Sequence, residues 1–309
     1  MSEARKAAYV FPGQGSQKVG MGRDLYDAFA AAKAIFQQAD EVLKFPLSKL
    51  CFEGPEEELK QTINAQPALA TVSFALLTVA HEVAGAKLPL PAFVAGHSLG
   101  EYTALAAAGV IDFATTVFLA RERGRLMYEA GLKRPGTMAA IIGMDEAQLG
   151  EICRESDTQI ANINCPGQIV ISGAKENVAK ATEMVTAKGS RAIPLQVSGA
   201  FHTPLMQPAY EGMAQILPNR SFREPQVPVI ANTSAQPLTT AAAIKEELLT
   251  QLCHCVQWQR SVEYMLKNGT STFIEIGPGK VLTGLIKRIS KEVNTLNIGE
   301  VPDIKNLSG

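Results

Sequence analysis

The pentapeptide Gly96-His97-Ser98-Leu99-Gly100 sets a serine between two glycines. The apolar run Ala92 to Ala95 before it reads as a buried strand, and Glu101 to Ala108 after it reads as a helix. A G-x-S-x-G turn from strand to helix holds its serine in a strained conformation, with the hydroxyl exposed at the helix N-terminus. The flanking glycines permit close backbone approach, and the helix end favours negative charge nearby. Ser98 is therefore the candidate nucleophile. The plain alternative is a glycine-rich turn that merely opens a helix.

A serine nucleophile needs a base, and the chain has 4 histidines. His81 lies in a helical run beside Glu82 and reads as a surface residue. His97 adjoins Ser98, but adjacent side chains at a strand end point to opposite faces, so it is expected to brace the turn. His254 sits near a predicted helix end, where a histidine suits the dipole without catalysis. His202, in Ser198-Gly199-Ala200-Phe201-His202-Thr203-Pro204, remains as the base by elimination. No aspartate offers itself to orient it. A backbone carbonyl can hold the imidazole instead and fix its tautomer.

Arg123 is out of place. Phe113 to Glu129 reads as a helix with Asp112 as its N-cap. Leu119, Ala120, Leu126 and Met127 lie one turn from Arg123, which puts the charge on the apolar face. One reading is an arginine that snorkels or pairs with a distant carboxylate. The other is a guanidinium ready to clamp a substrate carboxylate bidentately. The loop Phe11-Pro12-Gly13-Gln14-Gly15-Ser16-Gln17 lacks nucleotide-loop spacing. It is either a tight turn or, with the N–H of Leu99, a contributor to an oxyanion hole. Gly277-Pro278-Gly279-Lys280 is either an anion-binding helix start or a turn that ends a strand.

The chain's 309 residues, 46% hydrophobic and 19% charged, suit one or two globular domains, and its net charge of −1 argues against a general nucleic-acid binder. Met1 to Lys6 is followed by a short apolar run and then Pro and Gly, which is neither a signal peptide nor an anchor. The apolar stretch Ala65 to Ala80 contains Gln66, Ser73 and threonines and is expected in the core rather than in a membrane. The 5 cysteines show no zinc spacing and are expected to be reduced thiols of a cytoplasmic protein; no metal site is expected.

These residues need a scaffold. Ala7 to Phe11, Ala92 to Ala95, Val227 to Ala231 and Thr272 to Ile276 read as strands of one parallel sheet. Leu25 to Leu43, Ala68 to Val83 and Val281 to Ser290 read as helices between them. Ligands of such sheets bind beyond the carboxyl ends of the strands, where the candidate loops lie. The middle of the chain reads βαββαβ: strand Thr137 to Gly143, helix Glu146 to Glu155, strands Gln159 to Ile163 and Gln168 to Ser172, helix Glu176 to Lys188, strand Arg191 to Val197. That order is the ferredoxin-like signature. The expected fold is α/β: a large α/β-hydrolase-like domain with a short parallel sheet (1–132 and 199–309) and an inserted small ferredoxin-like domain (133–198). A cleft between them would take the substrate.

Phe11-Pro12-Gly13-Gln14-Gly15-Ser16-Gln17, Gln66-Pro67-Ala68, Gly96-His97-Ser98-Leu99-Gly100-Glu101, Gly199-Ala200-Phe201-His202 and Gly277-Pro278-Gly279-Lys280 occur in this order. With them the chain closely resembles the bacterial malonyl-CoA:acyl carrier protein transacylases, from about residue 6 to residue 290. The resemblance implies a ping-pong transfer in fatty acid synthesis, with Ser98 carrying the malonyl ester and His202 as base and then acid. It implies that the main-chain carbonyl of Gln257 orients His202, that the N–H groups of Gln14 and Leu99 form the oxyanion hole, and that Arg123 grips the malonyl carboxylate. Asn164 would lie near the acyl pocket, and Phe201 resembles the malonyl-selective pattern because its ring leaves little room for a branch methyl. Ala200 stands where many relatives have proline. Malonyl-CoA would be the substrate, with phosphopantetheine carried by an acyl carrier protein and no permanent cofactor. Lys280, Lys287 and Arg288 are candidates for the basic patch that an acidic carrier needs. The default is a monomer without nucleic-acid or membrane partners. The alternatives are a serine thioesterase or hydrolase, a polyketide-pathway acyltransferase, and a non-catalytic acyl-CoA-binding or scaffold protein that keeps the motifs.

Overall fold

Ala7 to Phe11 is a run of apolar residues buried on both sides, as a central parallel strand requires. The computed structural model describes residues 6–307. The first five residues, part of the segment read above as neither signal nor anchor, lie outside them. In chain order the first elements are β1 (Lys6–Phe11), α1 (Arg23–Ala28), α2 (Ala30–Leu43), α3 (Leu47–Glu53), α4 (Glu56–Lys60) and α5 (Thr62–Ala84). Then come β2 (Pro91–Gly96), α6 (Gly100–Ala107), α7 (Phe113–Lys133), β3 (Gly136–Ile142), α8 (Glu146–Ser156), β4 (Gln159–Cys165), β5 (Gln168–Ala174), α9 (Lys175–Ala187) and β6 (Arg191–Pro194). The last are α10 (Gln207–Ile216), β7 (Val229–Ile230), β8 (Pro237–Leu238), α11 (Ala241–Thr250), α12 (Trp258–Lys267), β9 (Thr270–Ile276), α13 (Val281–Ile289), β10 (Asn294–Ile298) and α14 (Val301–Asn306).

One sheet runs β10-β9-β1-β2-β7-β8, parallel except for the β7–β8 pair. Its four anticipated strands are present, and β8 and β10 extend it. The strand expected over Val227 to Ala231 narrows to two residues because Pro228 has no N–H to give. The helix expected over Leu25 to Leu43 is two helices. Phe29 turns extended, at φ −131° and ψ 126°, and packs against the core.

Apolar side chains cover both faces of this sheet. One core holds Leu69, Leu76 and Leu119 from α5 and α7; the other holds Trp258, Val262 and Leu285 from α12 and α13. Helix α5 is buried along most of its length and carries Pro67 inside it. Proline cannot donate to the carbonyl of Ile63, and Arg121 Nη1 donates to that oxygen instead at 3.0 Å. Residues 62–87 are the one stretch among those described that is long and apolar enough to cross a membrane, and 67% of its apolar window is buried within the protein.

The second sheet takes its strands from residues 136–194, antiparallel, in the order β4-β5-β3-β6. Helices α8 and α9 cover one face over Ala139, Ile141, Ile163 and Ile171. Val170 and Met138, on the opposite face, join the large core. The last strand stops at Pro194, short of Val197, and Leu195 to Val197 instead line a cavity between the sheets.

Candidate active site

The turn after β2 is as tight as its glycines allow. A Cβ at Gly96 would lie 1.9 Å from the carbonyl carbon of Gly100, and one at Gly100 would lie 2.1 Å from the carbonyl oxygen of Phe11. Ser98 sits in the left-handed region at φ 52°, and so does His202 at φ 60°. Strained non-glycine residues of this kind persist only where the surroundings over-determine them. Asn232, just past β7, does so for Ser98. Its Oδ1 accepts the Ser98 N–H at 2.7 Å and its Nδ2 donates to the Gly96 carbonyl at 2.7 Å.

His202 Nε2 lies 2.9 Å from Ser98 Oγ. Its Nδ1 lies 2.8 Å from a backbone carbonyl, which can only accept, so Nδ1 carries the proton and Nε2 is the free acceptor. That carbonyl belongs to Gln251, which corrects the assignment to Gln257. The Gln257 carbonyl is spent as the first acceptor of α12, taking the Ser261 N–H at 2.9 Å. Burial, and then the charge of Arg123, push the His202 pKa down to about 3. The imidazole therefore rests neutral.

Arg123 is 1% exposed. Nη1 donates to Gln66 Oε1 at 2.8 Å, and Nη2 donates to Gln251 Oε1 at 2.7 Å and to Ser98 Oγ at 3.1 Å. Its Nε is buried without a partner. Every acceptor is neutral, and among the described residues no carboxylate forms an ion pair with it. A buried cation without a counter-ion is costly. The guanidinium therefore keeps its charge available to an anionic group in the cavity. The snorkelling reading of Arg123 fails because the side chain reaches no solvent.

Ser98, His202, Arg123, Gln14, Leu99, Phe201 and Gln66 line one cavity of about 310 Å³ between the sheets, with Met127, Met138 and Leu195 adding apolar wall. Among the described residues, no hydrogen bond engages the backbone N–H of Gln14 or Leu99. The side chain of Gln14 is pinned by Thr62 Oγ1 at 2.6 Å. Asn164 does not line this cavity. Its Oδ1 meets His97 Nε2 at 2.9 Å, bracing the turn from the second sheet, and it faces a neighbouring cavity of about 220 Å³. Asn162, two residues earlier on β4, lines both cavities. The remaining histidines stand apart: His81 is exposed, and His254 Nδ1 is 2.8 Å from its own helix's Thr250 carbonyl.

The turn before α13 is not open to an anion. Glu275 already fills that helix start, accepting the N–H groups of Leu282 and Thr283 at 3.0 and 2.7 Å. The strand-ending reading of Gly277-Pro278-Gly279-Lys280 stands. No three His, Cys, Asp or Glu side chains among the described residues gather as a metal site. Sequence reasoning missed Gln251 and Asn232, which sit in no motif and reach Ser98 from more than 130 positions away.

Residues 8–305 match the family model of the acyl transferase domain. The chain is 47% identical over 306 residues to the malonyl CoA-acyl carrier protein transacylase of Bacillus subtilis, covering 97% of this chain and 95% of that protein. It is 46% identical over 287 residues to the Escherichia coli K12 protein of the same name, covering 91% and 92%. An acyl-carrier-protein S-malonyltransferase from Bartonella henselae superposes with a TM-score of 0.92 at 44% identity, over 97% of this chain and 98% of that one. A malonyl-transacylase solved in complex with its type II PKS acyl-carrier protein superposes with a TM-score of 0.94 at 41% identity, over 98% of both chains.

Proposed function

The chain belongs to the acyl transferase family, among the malonyl CoA-acyl carrier protein transacylases, and from that premise we propose how its own residues perform the transfer. It moves a malonyl group from CoA to acyl carrier protein and serves fatty acid synthesis. Ser98 Oγ attacks the thioester carbonyl carbon while His202 Nε2 takes the hydroxyl proton. The carbonyl oxygen, now anionic, is met by the N–H groups of Gln14 and Leu99. The C–S bond breaks, the CoA sulfur leaves with the proton from His202, and a malonyl ester remains on Ser98. The thiol of the carrier's phosphopantetheine then gives its proton to His202 and attacks the ester carbonyl carbon; the C–Oγ bond breaks, and Ser98 Oγ leaves with that proton from His202, which restores the neutral imidazole.

One observation carries the reading: an uncompensated, buried guanidinium one hydrogen bond from the nucleophile's oxygen. Arg123 is the clamp that selects a carboxylate-bearing acyl group. Phe201, in the same cavity and almost fully buried, resists a branch at the acyl α-carbon. Water must be kept from the ester, because the neutral imidazole that takes the thiol's proton could activate a water in the same way.

The βαββαβ order and the β4-β5-β3-β6 pairing support a ferredoxin-like reading of residues 133–198 as an inserted domain. The strand–turn–helix at Ser98 supports a hydrolase-like reading of 1–132 with 199–309. For the carrier, Lys280, Lys287 and Arg288 are all exposed cations, as the expected patch requires. Lys287 and Arg288 also bond within the fold, to the Val293 carbonyl and to Gln168. The protein is expected to act as a cytoplasmic monomer with no permanent cofactor. A polyketide carrier is a second acceptor, suggested by the carrier-bound relative.

Intact mass after exposure to malonyl-CoA, methylmalonyl-CoA and acetyl-CoA in parallel tests the whole reading. The expected result is one malonyl adduct, absent in Ser98→Ala, with little methylmalonyl and less acetyl. Equal adducts from all three, or a malonyl adduct that water clears as fast as carrier thiol does, would reject it.

A further inference from the structure

Gln251 touches more of the site than any sequence motif foretells. Its backbone carbonyl holds His202. Its side-chain Oε1 accepts from Arg123 Nη2 at 2.7 Å, and its Nε2 donates to the Ser98 carbonyl at 3.0 Å and to the Glu101 carboxylate. Glu101 is fully buried, and its other oxygen accepts the Asn232 N–H at 3.0 Å. The order is therefore guanidinium, amide, carboxylate. Only one amide orientation satisfies it, since the flipped one would set an NH₂ against the guanidinium.

We propose that the Gln251 side chain is a specificity-determining residue that positions Arg123 without neutralising it, keeping Glu101 one amide away so that the cation's charge is left for the acyl carboxylate. This rests on the reading of Arg123 as the clamp. A carboxylate has the reach to take that place, but a charged acceptor would satisfy Arg123 permanently. The substrate carboxylate would then have to displace it or bind beside it, at a desolvated site where like charges repel strongly. An apolar side chain would leave Nη2 and Glu101 short of partners. The amide alone holds both sides and keeps the cation free. Gln66 repeats the device on Nη1, again with a neutral oxygen, at 2.8 Å. Burial and then the nearby Glu247 also raise the Glu101 pKa, which weakens any competing negative charge from that side.

Gln251→Glu tests this with little change of volume and with the backbone carbonyl retained. Wild type, Gln251→Glu, Gln66→Glu and Arg123→Ala are each given equimolar malonyl-CoA and acetyl-CoA. Intact mass reads the ratio of malonyl- to acetyl-enzyme, and kcat/KM is measured for each donor with the holo carrier protein. The expectation is a fall in the malonyl-to-acetyl ratio of roughly 100-fold or more in Gln251→Glu, with acetyl transfer kept or raised. Retained acetyl transfer also reports a folded site. If both donors lose equally, Gln251 serves only to hold the site together, and the inference fails. Should Gln251→Glu not fold, Gln66→Glu decides: a full malonyl preference there overturns the inference, and a collapsed one supports it. If Arg123→Ala keeps the wild-type ratio, the clamp reading and this inference fall together. If Arg123→Ala collapses the ratio while both glutamates leave it intact, the inference alone falls.

Discussion

His202 is neutral at rest because it is buried beside a cation, and this fixes the sign of two pH effects. Its folded pKa of about 3 lies below the ordinary 6.5, so the base stays competent as the solution acidifies. The acid limb of kcat/KM for malonyl-CoA is expected well below 6.5; a limb at 6.5 or above would show that the base is solvated. The same depression means that unfolded chains bind the extra proton first. Stability contributed by this residue is complete above 6.5 and is lost as pH falls from there toward about 3. Urea unfolding of wild type and His202→Gln across that range measures the difference. Ser98, His202 and Arg123 were legible in the sequence because each announces itself locally, by a turn motif, by scarcity of rivals, or by a charge on an apolar face. Gln251 was not, because its role comes from a carbonyl any residue owns and an amide with no neighbouring signal. The carbonyl expected from Gln257 instead opens a helix, a distinction six positions wide that only tertiary packing draws.

At the scale of elements, the turn at Ser98 tolerates no side chain. Gly100→Ala would drive a methyl to within 2.1 Å of the Phe11 carbonyl, so β1 and α6 must part. We expect at least ~3 kcal/mol of lost stability and no malonyl-enzyme, read by thermal unfolding and intact mass. Asp112→Ala is the control of opposite kind. It removes the cap on Thr115 N–H and should cost about 1 kcal/mol while acylation proceeds. Strands with continuous apolar runs, such as β1 and β2, were legible, as was the alternating order of the smaller sheet. β10, Asn294–Ile298, was not: it is a half-exposed edge whose polar residues carry no buried pattern. The break at Phe29 escaped the helical period because one residue's packing, not propensity, makes it.

At the scale of the whole molecule, the two sheets are joined by more than a hinge. Val256 beside α12 pairs with β4 through Val256 N–H to the Ala161 carbonyl at 2.8 Å and Ile163 N–H to the Val256 carbonyl at 2.9 Å. Across the same seam Arg260 meets Glu146 at 2.7 Å, both about half exposed. Such a pair contributes little, so Glu146→Ala should shift the unfolding free energy by less than about 1 kcal/mol and leave donor selectivity unchanged. A larger change would mean that the pair, rather than the backbone bridge, sets the cleft. The position of β1 has a consequence in time. It lies between β2 and β9, with Val10 opposite Glu275, so its second neighbour is made almost last. The smaller sheet draws on 136–194 alone and can close as soon as that stretch leaves the ribosome. The larger one waits, its central strand open along one edge for most of synthesis. The strand beside the Ser98 turn is thus completed late, and one of its edges stays unpaired until β9 has been made.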